Sequence, residues 1–208
     1  MKTAKATAID LWAFEREAQD TGVSIICGVD EAGRGPLAGP VYAAAVILPF
    51  GANIDGLNDS KKLSAHQRDV LYERIHLTAL DYAVAFADER EIDELNILHA
   101  AMLAMRRAVA SLSLRPELAL VDGNRDPGFT DVKTQTIVKG DARSASIAAA
   151  SILAKVERDR CMLQMAELYP EYQFERHKGY PTALHYELLA KYGPCPIHRR
   201  SFRLEQRE

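Results

Sequence analysis

Asp30 and Glu31 stand side by side where a short apolar run ends, and Asp122 and Asp141 each follow an apolar run of the same kind. Neighbouring strands of one sheet would bring such ends together. Carboxylates gathered in this way repel one another unless protons or cations compensate them. Mg²⁺ is the obvious cation, because it prefers hard oxygen ligands, binds through a few carboxylates and keeps water and substrate phosphate in its shell. Two such ions about 4 Å apart are the recurring arrangement for phosphodiester hydrolysis. A single aspartate at a strand end is ordinarily a turn residue, but turn preference does not account for four. The acids therefore point to a metal-dependent nuclease.

Directly after the acidic pair, Gly33-Arg34-Gly35-Pro36-Leu37-Ala38 has the outline of a dinucleotide-binding fingerprint. That motif needs a helix to follow, so that its amides meet a pyrophosphate. Here Pro36, Gly39 and Pro40 interrupt the segment and another apolar run follows. A glycine turn that lets the backbone approach a nucleotide strand, with Arg34 beside it, fits better. Cys195-x-x-His198 is half of a zinc pattern without a second pair at suitable spacing. His66, His76 and His99 read as packed or surface residues. His177, His185 and His198 lie in a basic region where contact with substrate is open, without a catalytic role.

The elements that must position these groups can be read from hydrophobic spacing. Val23 to Val29 predicts a buried strand ending at the acids, and Val41 to Leu48, closed by Pro49, predicts a second. Asp10 to Ala18 predicts a helix packed on the outside, with Asp10 as candidate N-cap and Leu11, Phe14 and Ala18 on its inner face. Ser64 to Leu77 predicts a helix capped by Ser64 with Val70, Leu71 and Ile75 inward, then Tyr82 to Ala87 a third strand. Ile97 to Leu112 predicts a further helix. Leu118 to Val121 predicts a strand running into Asp122, and Thr134 to Val138 one running into Lys139-Gly140-Asp141. From Ser144 a long helix carries small residues in its first turns, where another element can come close, and Tyr169-Pro170 ends it. Thr182 caps a last helix to Tyr192, and the tail GPCPIHRRSFRLEQRE has little pattern. The order predicts an α/β fold, a mixed sheet flanked by helices, with a catalytic domain over 1–168 that includes a lead-in at 1–22. A small helical, basic C-terminal segment follows over 169–208.

With 208 residues, 48% hydrophobic and 26% charged, the chain suits one core plus an annex. Cys27, Cys161 and Cys195 are odd in number and far apart, which suits a reducing, cytoplasmic setting. The first residues lack the apolar stretch of a signal peptide, and no apolar run approaches the roughly 20 residues that span a bilayer, so no membrane role is expected. A net charge of −3 argues against a generic polyanion binder. From Phe174 onward, however, seven bases face four acids, a net +3 that leaves −6 for the remainder, part of it available for a metal site.

The strings GVDEAGRGPLAGPV, DSKKL, EIDELNILHAAMLAMRRAV, VDGN, KGD, SIAAASILAKVERDR and HKGYPT resemble ribonuclease HII, the bacterial type 2 ribonuclease H, in order and spacing from about Ile25 to Phe202. The resemblance implies a ribonuclease H-like fold and an endonuclease that cuts the RNA strand of RNA/DNA hybrids. It also implies cleavage 5' to ribonucleotides embedded in duplex DNA, as in ribonucleotide excision repair, leaving 3'-hydroxyl and 5'-phosphate ends. The family's metal-binding carboxylates fall on Asp30, Glu31, Asp122 and Asp141, with Mg²⁺ or Mn²⁺ as the ions. Its glycine-arginine-glycine turn falls on Gly33, Arg34 and Gly35, where a ribose 2'-hydroxyl, both donor and acceptor, would be sensed. Its tyrosine falls on Tyr180, beside the sugar that follows. Lys61, Lys62, Arg143, Lys178 and Arg199 are candidates for phosphate contacts. The segment Ala142 to Ser146 departs from a proline-containing stretch common in the family. The expected form is a monomer, with contact to a replication clamp left open. Two other classes remain to be weighed: an NAD-linked oxidoreductase and a non-catalytic nucleic-acid-binding module. On the acids alone, an exonuclease or resolvase of related fold also competes.

Overall fold

The computed structural model describes residues 10–57 and 63–205. Its five strands form one sheet in the order β3-β2-β1-β4-β5. β1 (Ile26–Ala32), β2 (Val41–Ile47) and β3 (Asp81–Ala87) are an antiparallel meander. β4 (Leu118–Asp122) lies parallel to β1 on its other side, and β5 (Lys133–Ile137) parallel to β4. β1 does not stop before the acids as the sequence predicts: pairing with β2 continues through Asp30 and Glu31 to Ala32. Hydrophobic runs mark where a strand is apolar, while pairing follows backbone geometry whatever the side chain.

Helices cover both faces. On one, α4 (Ile97–Ala110) sets Ala100, Ala104, Met105 and Ala108 against Val29, Ala43, Ala45 and Val121. On the other, α5 (Ala145–Leu168) sets Ala149, Ile152 and Leu153 against Ala44 and Val46. α2 (Ala65–Thr78) packs outside α5 through Leu71, Tyr72 and Ile75, while Val70 is exposed. α2 starts on a capping box in which Ser64 and Gln67 bond each other's backbone N–H. The small residues of α5 do allow close approach. A Cβ added at Gly28 of β1 would stand 2.0 Å from the carbonyl carbon of Ser146, so the start of α5 rests directly on the strand backbone. α3 (Glu89–Leu95), which the sequence did not predict, is too short for periodicity and is fixed by a capping box of Asp88 and Glu91.

α1 (Ala13–Asp20) follows a turn in which Asp10 accepts the N–H of Trp12, so Trp12 and not Asp10 occupies the cap. Its buried residues are Glu15 and Ala18. Glu15 Oε1 accepts from Ser144 Oγ at 2.6 Å and from the N–H of Ser146 at 3.1 Å. A carboxylate is drawn there by the unpaired amides at the start of α5. Ser144 itself caps α5 through the N–H of Ile147, so the Ala142 to Ser146 segment forms an ordinary helix entry.

The C-terminal stretch contains α6 (Phe174–His177) and α7 (Ala183–Tyr192), the latter capped by Thr182. It builds its own apolar cluster from Tyr172, Phe174, Leu188, Leu189 and Ile197, joined by Met162 of α5 and by Leu37 and Ala38. The tail that lacked pattern is packed: Cys195, Ile197, His198 and Arg199 are all buried, and His198 bridges to Ala38.

Candidate active site

The acids are set by strand register. Val29 lies level with Val121 on the parallel neighbour, so Asp30 and Asp122 are the next residues along β1 and β4. Asp30 is 3% exposed, accepts the N–H of Glu31 at 2.7 Å, and takes a hydrogen bond from the Ser151 hydroxyl of α5. Burial first, then the charges of Glu31 and Asp122, hold its carboxyl well above the usual carboxylate range. Asp122 Oδ1 accepts the N–H of Gly140 at 2.6 Å. That bond fastens the 3₁₀ turn Gly140–Ala142, and the buried Asp141 within it, to the end of β4. Glu31 and Asp122 line a cleft of about 50 Å³ with Arg34, Leu98 and Met102. A larger hollow of about 410 Å³ beside Arg106 and Phe129 includes none of the acids.

Among the described residues, no three acids, cysteines or histidines stand ready-made as a cage for one ion. The donor set nevertheless fits Mg²⁺ or Mn²⁺. Such ions bind through one or two carboxylates and fill their shells with water and phosphate, and the mutual repulsion at Asp30 is what a cation would relieve.

The glycine turn follows without a break. Gly33 has φ of +104°, and a Cβ there would lie 2.1 Å from Nε of Arg158. A strand, not a helix, comes next, which removes the dinucleotide reading. Arg34 is exposed and reaches Glu31 Oε1 at 3.3 Å. A Cβ at Gly35 would lie 3.9 Å from the Tyr180 ring, so turn and tyrosine are adjacent although far apart in sequence. Arg143 is exposed, bonded to the carbonyl of Val138 and placed over the Phe14 ring. Lys178 is half-buried and directs its ammonium at the carbonyl of Glu175. Lys61 and Lys62 lie outside the described residues.

Arg199, expected on phosphate, is instead fully buried. It donates to the carbonyls of Gly33 (2.6 Å), Arg34 (3.1 Å), Pro36 (2.8 Å) and Gly39 (2.8 Å). Burial pulls its pKa down to about 9. Ser151 and Arg158 were not picked out from the sequence. They stand seven apart, hence on one face of the helix, but the same helix also carries Lys155, Glu157, Asp159 and Arg160, so spacing alone does not single them out.

The three C-terminal histidines are core residues, closed to substrate. His185 Nδ1–H donates to the carbonyl of Tyr180, which leaves its Nε2 as acceptor for Nε2–H of His198, 3.0 Å away. His198 Nδ1 is then the acceptor for the N–H and thiol of Cys195. His177 Nε2–H donates to the carbonyl of Tyr172, and its Nδ1 accepts the N–H of Gly179. Burial pushes the Cys195 thiol up to about 11. Every ring nitrogen is occupied, and the cysteine–histidine pair is a hydrogen bond, with no site left for zinc.

The ribonuclease HII family model matches residues 27–205, which includes the acids, the glycine turn and Tyr180. The ribonuclease HII of Marinomonas sp. (strain MWYL1) is 61% identical over 178 residues, 86% of this chain and 89% of that protein. The crystal structure of ribonuclease H2 from Pyrococcus horikoshii OT3 superposes with a TM-score of 0.72 at 30% identity, covering 87% of this chain and 95% of that one. Bst-RNase HIII in complex with Mn²⁺ shares the fold at a TM-score of 0.72 and 18% identity, over 97% of this chain and 74% of that one. On the extent and identity of these matches, the chain belongs to the ribonuclease HII family and is an endoribonuclease of the type 2 ribonuclease H class.

Proposed function

We propose that this ribonuclease H hydrolyses the RNA strand of RNA/DNA hybrids and also cuts 5' to single ribonucleotides embedded in duplex DNA. Asp30, Glu31, Asp122 and Asp141 would hold two Mg²⁺ or Mn²⁺ ions. Bound there, the ions would activate water and stabilise the leaving oxygen, giving 3'-hydroxyl and 5'-phosphate ends. The observation that carries this reading is Asp30, its carboxyl pKa raised by burial and then by Glu31 and Asp122, three residues ahead of a glycine turn that lies against Tyr180.

The chain's own groups divide the work. Ser151 holds Asp30 from the helix side, and the N–H of Gly140 holds Asp122 and places the turn that carries Asp141. The backbone of Gly33 to Gly35 would approach a ribose and exchange hydrogen bonds with its 2'-hydroxyl, which DNA lacks. The exposed ring of Tyr180 offers a stacking face beside it. Arg34, exposed beside Glu31, is a cation for a phosphate, and Arg143 and Lys178 are further candidates.

The test is cleavage of a duplex with one embedded ribonucleotide beside an all-DNA duplex, each with and without Mg²⁺. Cutting of the first alone, and only with metal, is expected, and equal cutting of both would remove the 2'-hydroxyl from the account. Asp30→Asn is expected to abolish cleavage of either ribonucleotide substrate while hybrid binding stays near wild type. An Asn variant that cuts at the normal rate would overturn the metal assignment. A non-catalytic binding module would bind the hybrid tightly and show no metal-dependent turnover in the same assay.

A further inference from the structure

Two arginines, Arg158 and Arg199, are fully buried, and among the described residues neither pairs with a carboxylate. A buried guanidinium without a counter-charge is costly and is retained where its donors are all used. Here they are used on backbone carbonyls of two separate loops. Arg199 holds the glycine turn alone, through Gly33, Arg34, Pro36 and Gly39. Arg158 spans both loops. Its Nε donates to Pro40 (3.2 Å) and Nη2 to Ala38 (3.2 Å) on the turn side, while Nη1 and Nη2 both reach the carbonyl of Lys178 at 3.1 Å. The Tyr180 ring lies 5.6 Å from the same guanidinium. The two loops also bond directly, with Leu37 N–H on the carbonyl of Gly179 at 2.8 Å. A Cβ at Gly179 would stand 2.6 Å from the carbonyl oxygen of Ala38.

We infer that the Gly33–Gly35 turn and Tyr180 form one rigid reading unit, and that Arg158 is the positioning residue that sets the tyrosine against the turn. The inference rests on the proposed roles of the turn and of Tyr180 in substrate contact. Arg158 touches no substrate in this account. It acts by spanning Ala38, Pro40 and Lys178 with one planar fork, which a lysine's single ammonium cannot reproduce.

A double-mutant cycle tests it, using Arg158→Met, Tyr180→Ala and the combination on two substrates, a duplex with one ribonucleotide and a continuous RNA/DNA hybrid. Thermal melting and the half-saturating Mg²⁺ concentration are measured beside kcat and KM. Misplacement of a contacting group by about 1 Å can cost about a hundredfold, so Arg158→Met is expected to lower kcat/KM by about that factor with the Mg²⁺ midpoint unchanged. Because Arg158 acts through Tyr180, the double variant should fall within about twofold of the worse single one. Losses that multiply in the double variant would overturn the inference, since an arginine that merely holds the fold lowers both backgrounds by the same factor. If Arg158→Met gives no cooperative melting transition, Arg158→Lys takes its place, with the same sub-additivity expected. If wild type cuts the continuous hybrid and leaves the single ribonucleotide intact, the proposed substrate range fails. The cycle on the hybrid still decides the coupling.

Discussion

Lowering the pH from 7 to 5 will destabilise the protein through His185 and His198. In the unfolded chain both rings titrate near 6.5. In the fold both are pushed down to about 4, by burial first, only partly offset by the nearby carbonyls of Tyr180 and Cys195, which favour the protonated rings. A proton added to His185 Nε2 would face the N–H of His198 at 3.0 Å, so the charged form also breaks the link between the rings. Because the folded pKa of a base is lowered, the unfolded state binds more protons between about pH 6.5 and 4. Stability is complete above that window, falls as pH drops through it, and suffers no further loss from these rings below it. One pKa unit corresponds to about 1.4 kcal/mol, so each ring costs about 2 kcal/mol at pH 5 and the pair about 4 kcal/mol. His177, also lowered by burial, adds in the same direction. Urea denaturation at several pH values, on wild type and on a His185→Gln/His198→Gln variant, isolates the effect. The difference between the proteins cancels carboxylates such as Asp93 and Glu91, whose lowered pKa values also make stability fall on the acid side. Wild type should lose about 4 kcal/mol more than the variant. Equal losses in the two would refute the fixed, neutral histidine chain.

Gly28→Ala should drive the start of α5 off the sheet, because its Cβ would meet backbone at 2.0 Å and 2.3 Å where nothing can rotate aside. Destabilisation of about 3 kcal/mol or more is expected from such overpacking. Loss of hybrid cleavage should persist at temperatures where the variant is folded, since Ser151 moves with the helix. Glu15→Ala strands the Ser144 hydroxyl and the Ser146 amide and should cost about 2 kcal/mol in chemical denaturation. Hybrid turnover per folded molecule should not change.

Legibility in the sequence follows the kind of interaction. The four acids stand out because each follows a hydrophobic run, and strand register then sets Asp30 and Asp122 one residue beyond the paired Val29 and Val121. Ser64, Ser144 and Thr182 are visible as caps because a cap bonds only its own helix. Arg199 misleads for the opposite reason. Its partners are carbonyls 160 or more residues away, which carry no side-chain signature, so a buried clamp looks like one more base in a basic tail. Glu15 is hidden likewise, since its partners at the start of α5 lie about 130 residues on. Tyr180 could be singled out by resemblance, but its place against Gly35 depends on loops that pattern cannot join.

β1 is antiparallel to one neighbour and parallel to the other. The antiparallel partner forces the chain to double back at the end of β1, which lays the 33–40 loop over that rim of the sheet. The parallel partners bring β4 and β5 to finish at the same rim. On the proposed roles, the reversal would carry recognition and leads straight on from Asp30 and Glu31, while Asp122 and Asp141 reach the same rim through the separate exits of β4 and β5. If the turn selects the sugar as proposed, substitutions in the reversal would alter that selection while the exits of β4 and β5 keep Asp122 and Asp141 where they are. The connectivity thus ties half of the acids to the turn and leaves the other half on connections of their own.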